Sequence, residues 1–335
     1  VNSILEKNIV PEGYEDYVDD LKTMSEFATI LRKAKVKRGY LDFDVDEAKI
    51  LVDENCVPYE ITKRERGTGE NLIEDFMIAA NECVATHIYN MDLPFIYRIH
   101  ESPKEDKIRD FLSFVSNLGY QVTGDLKGNK SVAVQKLLKF VHDKKEGPIL
   151  TSLLLRCMQK AIYSPTNVGH FGLGSSCYTH FTSPIRRYPD TTVHRLLRTY
   201  LFNNDLSSHT IHHYEEKLVF VADHSSAMER ASVDCEREVE DMKMAEYMES
   251  HIGEEFEGMI SSVMSFGMFV ELDNLVEGLV PVRLMDDYFT FDETRMTLVG
   301  ERSHIKYTIG ERVLIKVVVA SKEAKTIDFE IVKKL

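Results

Sequence analysis

The 335 residues contain no run approaching 18 uncharged apolar residues and no basic-then-apolar leader, which argues against a membrane span and against secretion. Cysteine is scarce: Cys56, Cys83, Cys157, Cys177 and Cys235 are widely spaced and include no CxxC pair. An odd, dispersed set suits a reducing cytoplasm better than a disulfide framework or structural zinc. Around Gly172, Gly174 and Ser175 there is neither GxSxG nor GxGxxG, so a serine-hydrolase elbow and a dinucleotide loop find no support. His212 and His213 are adjacent and cannot share a helical face, which weakens a paired-histidine metal site. The first residue is Val1 rather than Met, so the chain reads as a fragment or a processed product.

What is present is an ordinary globular composition, 43% hydrophobic and 29% charged, which excludes disordered and fibrous classes. The length points to about two domains. The net charge of −14 argues, as an average, against a polyanionic partner. Averages hide clusters. Between Arg156 and Arg198 six basic residues stand against one acidic residue, Asp190, and His170, His180 and His194 lie in the same stretch. Gathered in space, they would make a focused positive trap on an acidic molecule. Scattered over unrelated surfaces, they would mean nothing.

Hydrophobic periodicity predicts helices over 17–35, 71–89, 104–118, 131–144, 149–162, 189–202 and 226–251, with strand-like pieces at 40–43 and 49–52. Residues 163–189 lack a helical period and read as strand and loop. Pro189 suits the first turn of the helix that follows. Gly253 is a natural break after the longest helix. Beyond it, runs at 257–264, 268–272, 278–282, 312–320 and 326–332 are rich in Val, Ile, Phe and Thr, and predict a small five-stranded Greek-key barrel of OB type. The fold class is therefore α+β, with a mixed domain at 1–252 and the barrel at 253–335.

The run from His170 to Arg195, HFGLGSSCYTHFTSPIRRYPDTTVHR, closely resembles the signature of the catalytic domain of the ribonuclease R and ribonuclease II (RNB) family of exoribonucleases. The resemblance extends upstream through Leu72–Asn81, Tyr97–His100 and Ala161–Tyr163. Downstream, Met264–Glu271, Val276–Val280 and Asp286–Tyr288 resemble the S1-type RNA-binding barrel of the ribonuclease R branch. The resemblance implies a processive hydrolytic 3′-to-5′ exoribonuclease, cytoplasmic and monomeric, that acts on single-stranded RNA with no membrane partner. The alternative is a non-catalytic RNA-binding protein that kept the architecture.

Arg186 and Arg187 sit in a Pro-bounded loop before a helix N-terminus, where guanidinium groups and free backbone donors can hold phosphate. By resemblance Arg186 contacts the scissile phosphate and stabilises transition-state charge. Arg187 is either a second RNA contact or a structural partner of Asp190. Glu229 and Glu236, seven residues apart, fall on nearly one helical face, and one of them matches a family glutamate near the RNA 3′ end. Ser226 and Glu229 also have capping-box spacing, which makes Glu236 the better candidate. Glu74 resembles a ribose-recognising position, where a carboxylate accepts a bond from the 2′-hydroxyl. Tyr178, Phe181 and Tyr188 are candidates for base stacking or for the core. Phe266 and Phe269 resemble the aromatics of the S1 binding face, with His304 and Lys306 as weaker suggestions. The barrel has five more acidic than basic residues, so its expected contribution to binding is weak.

The family's chemistry uses divalent metal, usually Mg2+, held by an aspartate cluster of the form D-x5-D-x-D-D, and that motif does not occur here. Asp16, Asp19 and Asp20, and likewise Asp42, Asp44 and Asp46, read as solvated faces rather than ligands. The expectation is that the metal ligands and the preceding cold-shock-type barrels belong to sequence upstream of Val1, and that this chain alone hydrolyses RNA poorly or not at all.

Overall fold

The computed structural model describes residues 1–43, 45–121, 130–144, 146–293 and 295–335. Helix α1 (Asn2–Leu5) leads into α2 (Val18–Arg38), which Gly39 ends in the left-handed region at φ 101°. The hairpin β1 (Ala48–Val52) and β2 (Pro58–Lys63) precedes α3 (Thr68–Asn90). Strand β3 (Tyr97–Ile99), helices α4 (Glu105–Asn117), α5 (Lys130–His142) and α6 (Gly147–Arg156), and strand β4 (Ile162–Ser164) follow. The short strands β3 and β4 pair antiparallel, Tyr97 opposite Ser164.

Helix α7 (Tyr188–Leu197), with Pro189 in its first turn, passes into a π-helical turn at Arg198–Phe202. Helix α8 (Ser208–Glu249) runs for 42 residues. It begins well before the predicted start at Ser226. Ser207 is the N-cap, its Oγ accepting from Thr210 N at 3.3 Å. Ser226 is therefore mid-helix: its Oγ donates to Ala222 O at 2.8 Å and accepts from Tyr163 N at 2.9 Å. The Ser226–Glu229 spacing is no capping box.

Other expectations are corrected too. Residues 40–43 form no ladder; Leu41 N donates to Gly172 O instead, and Leu41 is buried. Helix α6 stops at Arg156, short of the predicted 162, and Ile162 pairs with Ile99 of β3 instead. Asp44 lies outside the described residues.

After Gly253, at φ 93°, strands β5 (Glu255–Met264), β6 (Gly267–Leu272) and β7 (Glu277–Pro281) run antiparallel in order. An excursion of three short strands, β8 (Phe289–Asp292), β9 (Thr297–Gly300) and β10 (Lys306–Thr308), comes next. Strands β11 (Arg312–Ser321) and β12 (Thr326–Lys334) then close a five-stranded barrel in the order β11-β12-β7-β6-β5. The five predicted strands are the five barrel strands.

Three apolar cores hold these elements. One joins α3, β3, β4, α7 and α8 through Ile88, Ile99, Tyr163, Leu196 and Leu218. A second lies among α4, α5 and α6. The third fills the barrel and reaches out of it, since Ala245 and Met248 of α8, Ile61 of β2 and Ile149 of α6 pack with Ile260, Val313 and Phe329. The last turns of α8 are thus part of the barrel's own core. Met248→Ala should lower unfolding free energy by about 2–5 kcal/mol, read as the urea midpoint, because the fully buried thioether chain leaves a cavity. A midpoint unchanged within about 0.5 kcal/mol would show that α8 does not anchor the barrel.

Candidate nucleic-acid interface

A cleft of about 740 Å³ opens where the turn before α7 faces the middle of α8. The turn is folded by hydrogen bonds to Ser183. Its carbonyl accepts from Arg186 N at 3.3 Å and Arg187 N at 3.2 Å, and its own N–H donates to Asp190 Oδ1 at 2.8 Å. Thr191 Oγ1 donates to Pro184 O at 2.9 Å. The backbone donors of Arg186 and Arg187 are therefore spent within the turn, contrary to the expectation that they are free for phosphate.

The two arginines part here. Arg187 donates from Nε to Oδ2 and from Nη2 to Oδ1 of Asp190, both at 2.8 Å. Asp190 is fully buried in the first turn of α7, where the helix dipole also favours a negative charge. Arg187 borders the cleft, but its charge is already met. Arg186 also borders the cleft, is exposed, and has no ion-pair partner among the described residues. That side chain carries net positive charge into the cleft.

Tyr163 and Glu229 line the same cleft, and a second ion pair joins it: Arg98 of β3 donates from its two terminal nitrogens to the two oxygens of Glu229, at 2.5 and 2.9 Å. The Arg98 guanidinium lies 4.7 Å from the centre of the Tyr163 ring, and Tyr163 Oη is hydrogen-bonded to His180 Nδ1 at 2.8 Å. Glu229 is thus a structural counter-ion. Glu236, seven residues on, lines the cleft with no ion pair among the described residues. Tyr163 and the exposed Phe220 of α8 line the cleft, and Arg98 stands behind it on Glu229; none of the three was a candidate from the sequence.

Burial, reinforced by the charges of Arg187 and Arg98, holds His180 down at about 2. Burial, with the neighbouring His100 and Arg98, holds His170 at about 3. Both stay neutral, so the local positive charge is carried by arginines.

The remaining candidates lie elsewhere. Tyr178 is a core ring, edge-on to His170 and His180, with Oη accepting from Asn81 Nδ2 at 2.9 Å. No face is open to a base. Phe181 is stacked on His194 at 4.5 Å. Tyr188 is half exposed on the cleft and open to stacking. Glu74 is not a cleft residue; on α3 it accepts from Lys35 Nζ and Tyr40 Oη. Phe266 and Phe269 meet edge-to-face at 6.3 Å at the β5–β6 hairpin, with Phe266 exposed. His304 is in an exposed turn with positive φ, and Lys306 opens β10.

Asp16, Asp19 and Asp20 are exposed, and Asp46 is paired with Lys63 at 2.6 Å. Among the described residues no three His, Cys, Asp or Glu side chains converge as a metal site. No described helix is long and apolar enough to cross a membrane.

The RNB domain family matches residues 1–203. The chain belongs to the RNB family. An S1 RNA binding domain matches residues 249–332. Ribonuclease R 1 of Lactococcus lactis is 48% identical over 320 residues, covering 95% of this chain and 39% of that protein. Ribonuclease R of Thermotoga maritima is 41% identical over 336 residues, covering 99% of this chain and 47% of that protein. The apo structure of Mycoplasma genitalium RNase R superposes with a TM-score of 0.92 at 31% identity, covering 99% of this chain and 52% of that one. The chain therefore spans less than half the length of these curated relatives. The matched RNB segment holds the turn and α7, the cleft's opposite wall on α8 lies between the two matched segments, and the matched S1 segment holds the Phe266–Phe269 pair.

The neutral histidines set a pH dependence. An unfolded chain takes up protons on His170 and His180 near the ordinary value of 6.5, whereas the folded RNB segment refuses them until about 3 and about 2. Stability is complete above about pH 6.5 and falls as pH drops below it, by about 1.4 kcal/mol per pH unit for each histidine. Urea unfolding at about pH 7 and about pH 5 should show this slope, roughly halved in His180→Gln. A flat profile across that window would mean that the histidines are not desolvated.

Proposed function

We propose that the chain is the phosphate-gripping and RNA-retaining part of a processive 3′-to-5′ exoribonuclease. The complete enzyme would degrade single-stranded RNA to nucleoside 5′-monophosphates with divalent metal, by family habit Mg2+. Residues 1–252 form the C-terminal part of the catalytic domain and residues 253–335 the RNA-holding barrel. One observation carries this reading: Arg187 is neutralised by buried Asp190, while its neighbour Arg186 borders a 740 Å³ cleft with no ion-pair partner among the described residues.

In that cleft Arg186 offers a planar fork of donors to a phosphodiester, and charge that builds up on the phosphoryl oxygens strengthens the bond. Glu236 lies near the RNA 3′ end, Tyr188 offers a ring face, and Phe266 and Phe269 hold bases on the barrel. Glu229 keeps Arg98 and Tyr163 in place. Because the described residues do not converge on a metal, activation of water is assigned to carboxylates outside this chain, and the chain alone binds RNA with little or no hydrolysis. The similar Mycoplasma genitalium RNase R has been solved with single-stranded and with double-stranded RNA, which supports RNA as the ligand.

Two experiments test the reading. Arg186→Ala should weaken binding of this chain to single-stranded RNA roughly tenfold to a hundredfold, the effect of one charge-assisted hydrogen bond of ~1.5–3 kcal/mol. The slope of log affinity against log salt should become shallower by about 0.7, one phosphate contact. An unchanged slope would remove Arg186 from the RNA path. Fusion to the upstream catalytic half of a ribonuclease R, assayed with Mg2+ on labelled single-stranded RNA, should restore stepwise 3′ trimming. Tight binding without trimming by the fusion would favour the non-catalytic RNA-binding alternative.

A further inference from the structure

Glu74 stands outside the Arg186 cleft, yet its surroundings are more constrained than a solvent-facing helix charge requires. Lys35 of α2, with a side chain only 4% exposed, reaches Glu74 Oε1 at 3.2 Å and Asp75 Oδ1 at 2.7 Å. Asp75, 3% exposed, also accepts from Arg32 Nε at 2.9 Å. Tyr40 Oη donates to the same Glu74 Oε1 at 3.0 Å, and the Lys35 ammonium lies 3.8 Å from the centre of the Tyr40 ring. One oxygen of Glu74 is therefore held twice. The other, Oε2, accepts no hydrogen bond from any described residue, and the side chain is 30% exposed.

A carboxylate with both oxygens free to turn is a poor discriminator, because it can re-aim at whatever donor arrives. Here Lys35 and Tyr40 fix the rotation about the carboxyl carbon. Burial, and then the charges of Asp42 and Glu74, push the Tyr40 phenol well above its ordinary range, so it remains a donor wherever the protein is folded. Asp75, itself bonded to Arg32, holds Lys35 in turn, leaving the ammonium little freedom to follow a displaced Glu74.

We propose that Tyr40 is a positioning residue for sugar recognition: by pinning Glu74 Oε1 it leaves Oε2 aimed outward as a single acceptor for the 2′-hydroxyl of a ribonucleotide. The inference rests on the reading of Glu74 as the ribose-recognising carboxylate. An acceptor held in place gains a bond from a ribose and nothing from a deoxyribose. Without the phenol, Glu74 turns toward Lys35, engages it with both oxygens, and the distinction between sugars fades.

The test is equilibrium binding of this chain to two short oligoribonucleotides that differ only in carrying 2′-hydroxyl or 2′-hydrogen on the 3′-terminal sugar. Contacts made by the S1 barrel to other nucleotides cancel in the ratio of affinities. The parent chain should prefer the 2′-hydroxyl form roughly tenfold or more, the effect of one hydrogen bond to a charged group. Glu74→Ala should bring the ratio to about one. Tyr40→Phe, which keeps the ring over Lys35, should bring it below about threefold, with a far-UV spectrum and unfolding midpoint like the parent's. A full ratio in Tyr40→Phe alongside a lost ratio in Glu74→Ala would overturn the role of Tyr40 alone. A ratio that Glu74→Ala does not change would overturn the Glu74 reading, and this inference with it.

Discussion

The carboxylate of Asp190 is buried completely, and the shape of the cleft follows from how that charge is met. An ionised group taken out of water costs several kcal/mol unless its oxygens are satisfied. Here Nε and Nη2 of Arg187, the N–H of Ser183 and the N-terminus of α7 all converge on it. Satisfying Asp190 bends residues 183–188 back onto their own helix and commits one of two neighbouring arginines to structure. The other is left to face the cleft. The Arg-Arg pair is therefore a division of labour, with one residue folding the turn and the next presented by it.

The opposite wall obeys the same logic. Arg98 and Glu229 neutralise each other across two elements 131 residues apart in sequence, and the backbone N–H of Tyr163 donates to Ser226 of the same helix. These contacts lock β3 and β4 against the middle of α8 and so fix Glu236 relative to the turn. The nearby histidines are kept neutral by burial, which leaves the cleft's positive charge concentrated on Arg186, a side chain with no ion-pair partner among the described residues. At the far end of α8, Ala245 and Met248 enter the core of the S1 barrel. A single helix thus ties the cleft beside the Arg186 turn to the aromatic pair on an otherwise acidic barrel.

Much of this was legible in the sequence, for identifiable reasons. Helices α2 and α3 were legible as helices, although Phe27 and Ile30 of the one and Ile73 and Met77 of the other, apolar residues at helical spacing, stand exposed, and the five barrel strands are β-branched runs separated by turns. The first half of α8 was not legible because Leu218–Ala222 is five apolar residues in a row, which blurs the helical period; only the structure shows that Leu218, Val221 and Ala222 face inward while Val219 and Phe220 face solvent. That error produced the false capping box at Ser226. Strands β3 and β4 are three residues each, too short to show alternation. The Arg187–Asp190 pair could be suspected from its spacing of three. The Arg98–Glu229 pair, formed only by tertiary folding, could not. Tyr178 and Tyr188 look alike in the motif, and only packing separates a core ring from an open one.

The central claim is that Arg186, released by the Arg187–Asp190 pair, is the group that grips an RNA phosphodiester. The most direct measurement is a crystal structure of this chain bound to a short single-stranded RNA. The account predicts a phosphate oxygen about 2.7–2.9 Å from the Arg186 guanidinium, with Arg187 still on Asp190. RNA confined to the S1 barrel, or a phosphate held by Arg187 after it has left Asp190 while Arg186 stays in solvent, would contradict it.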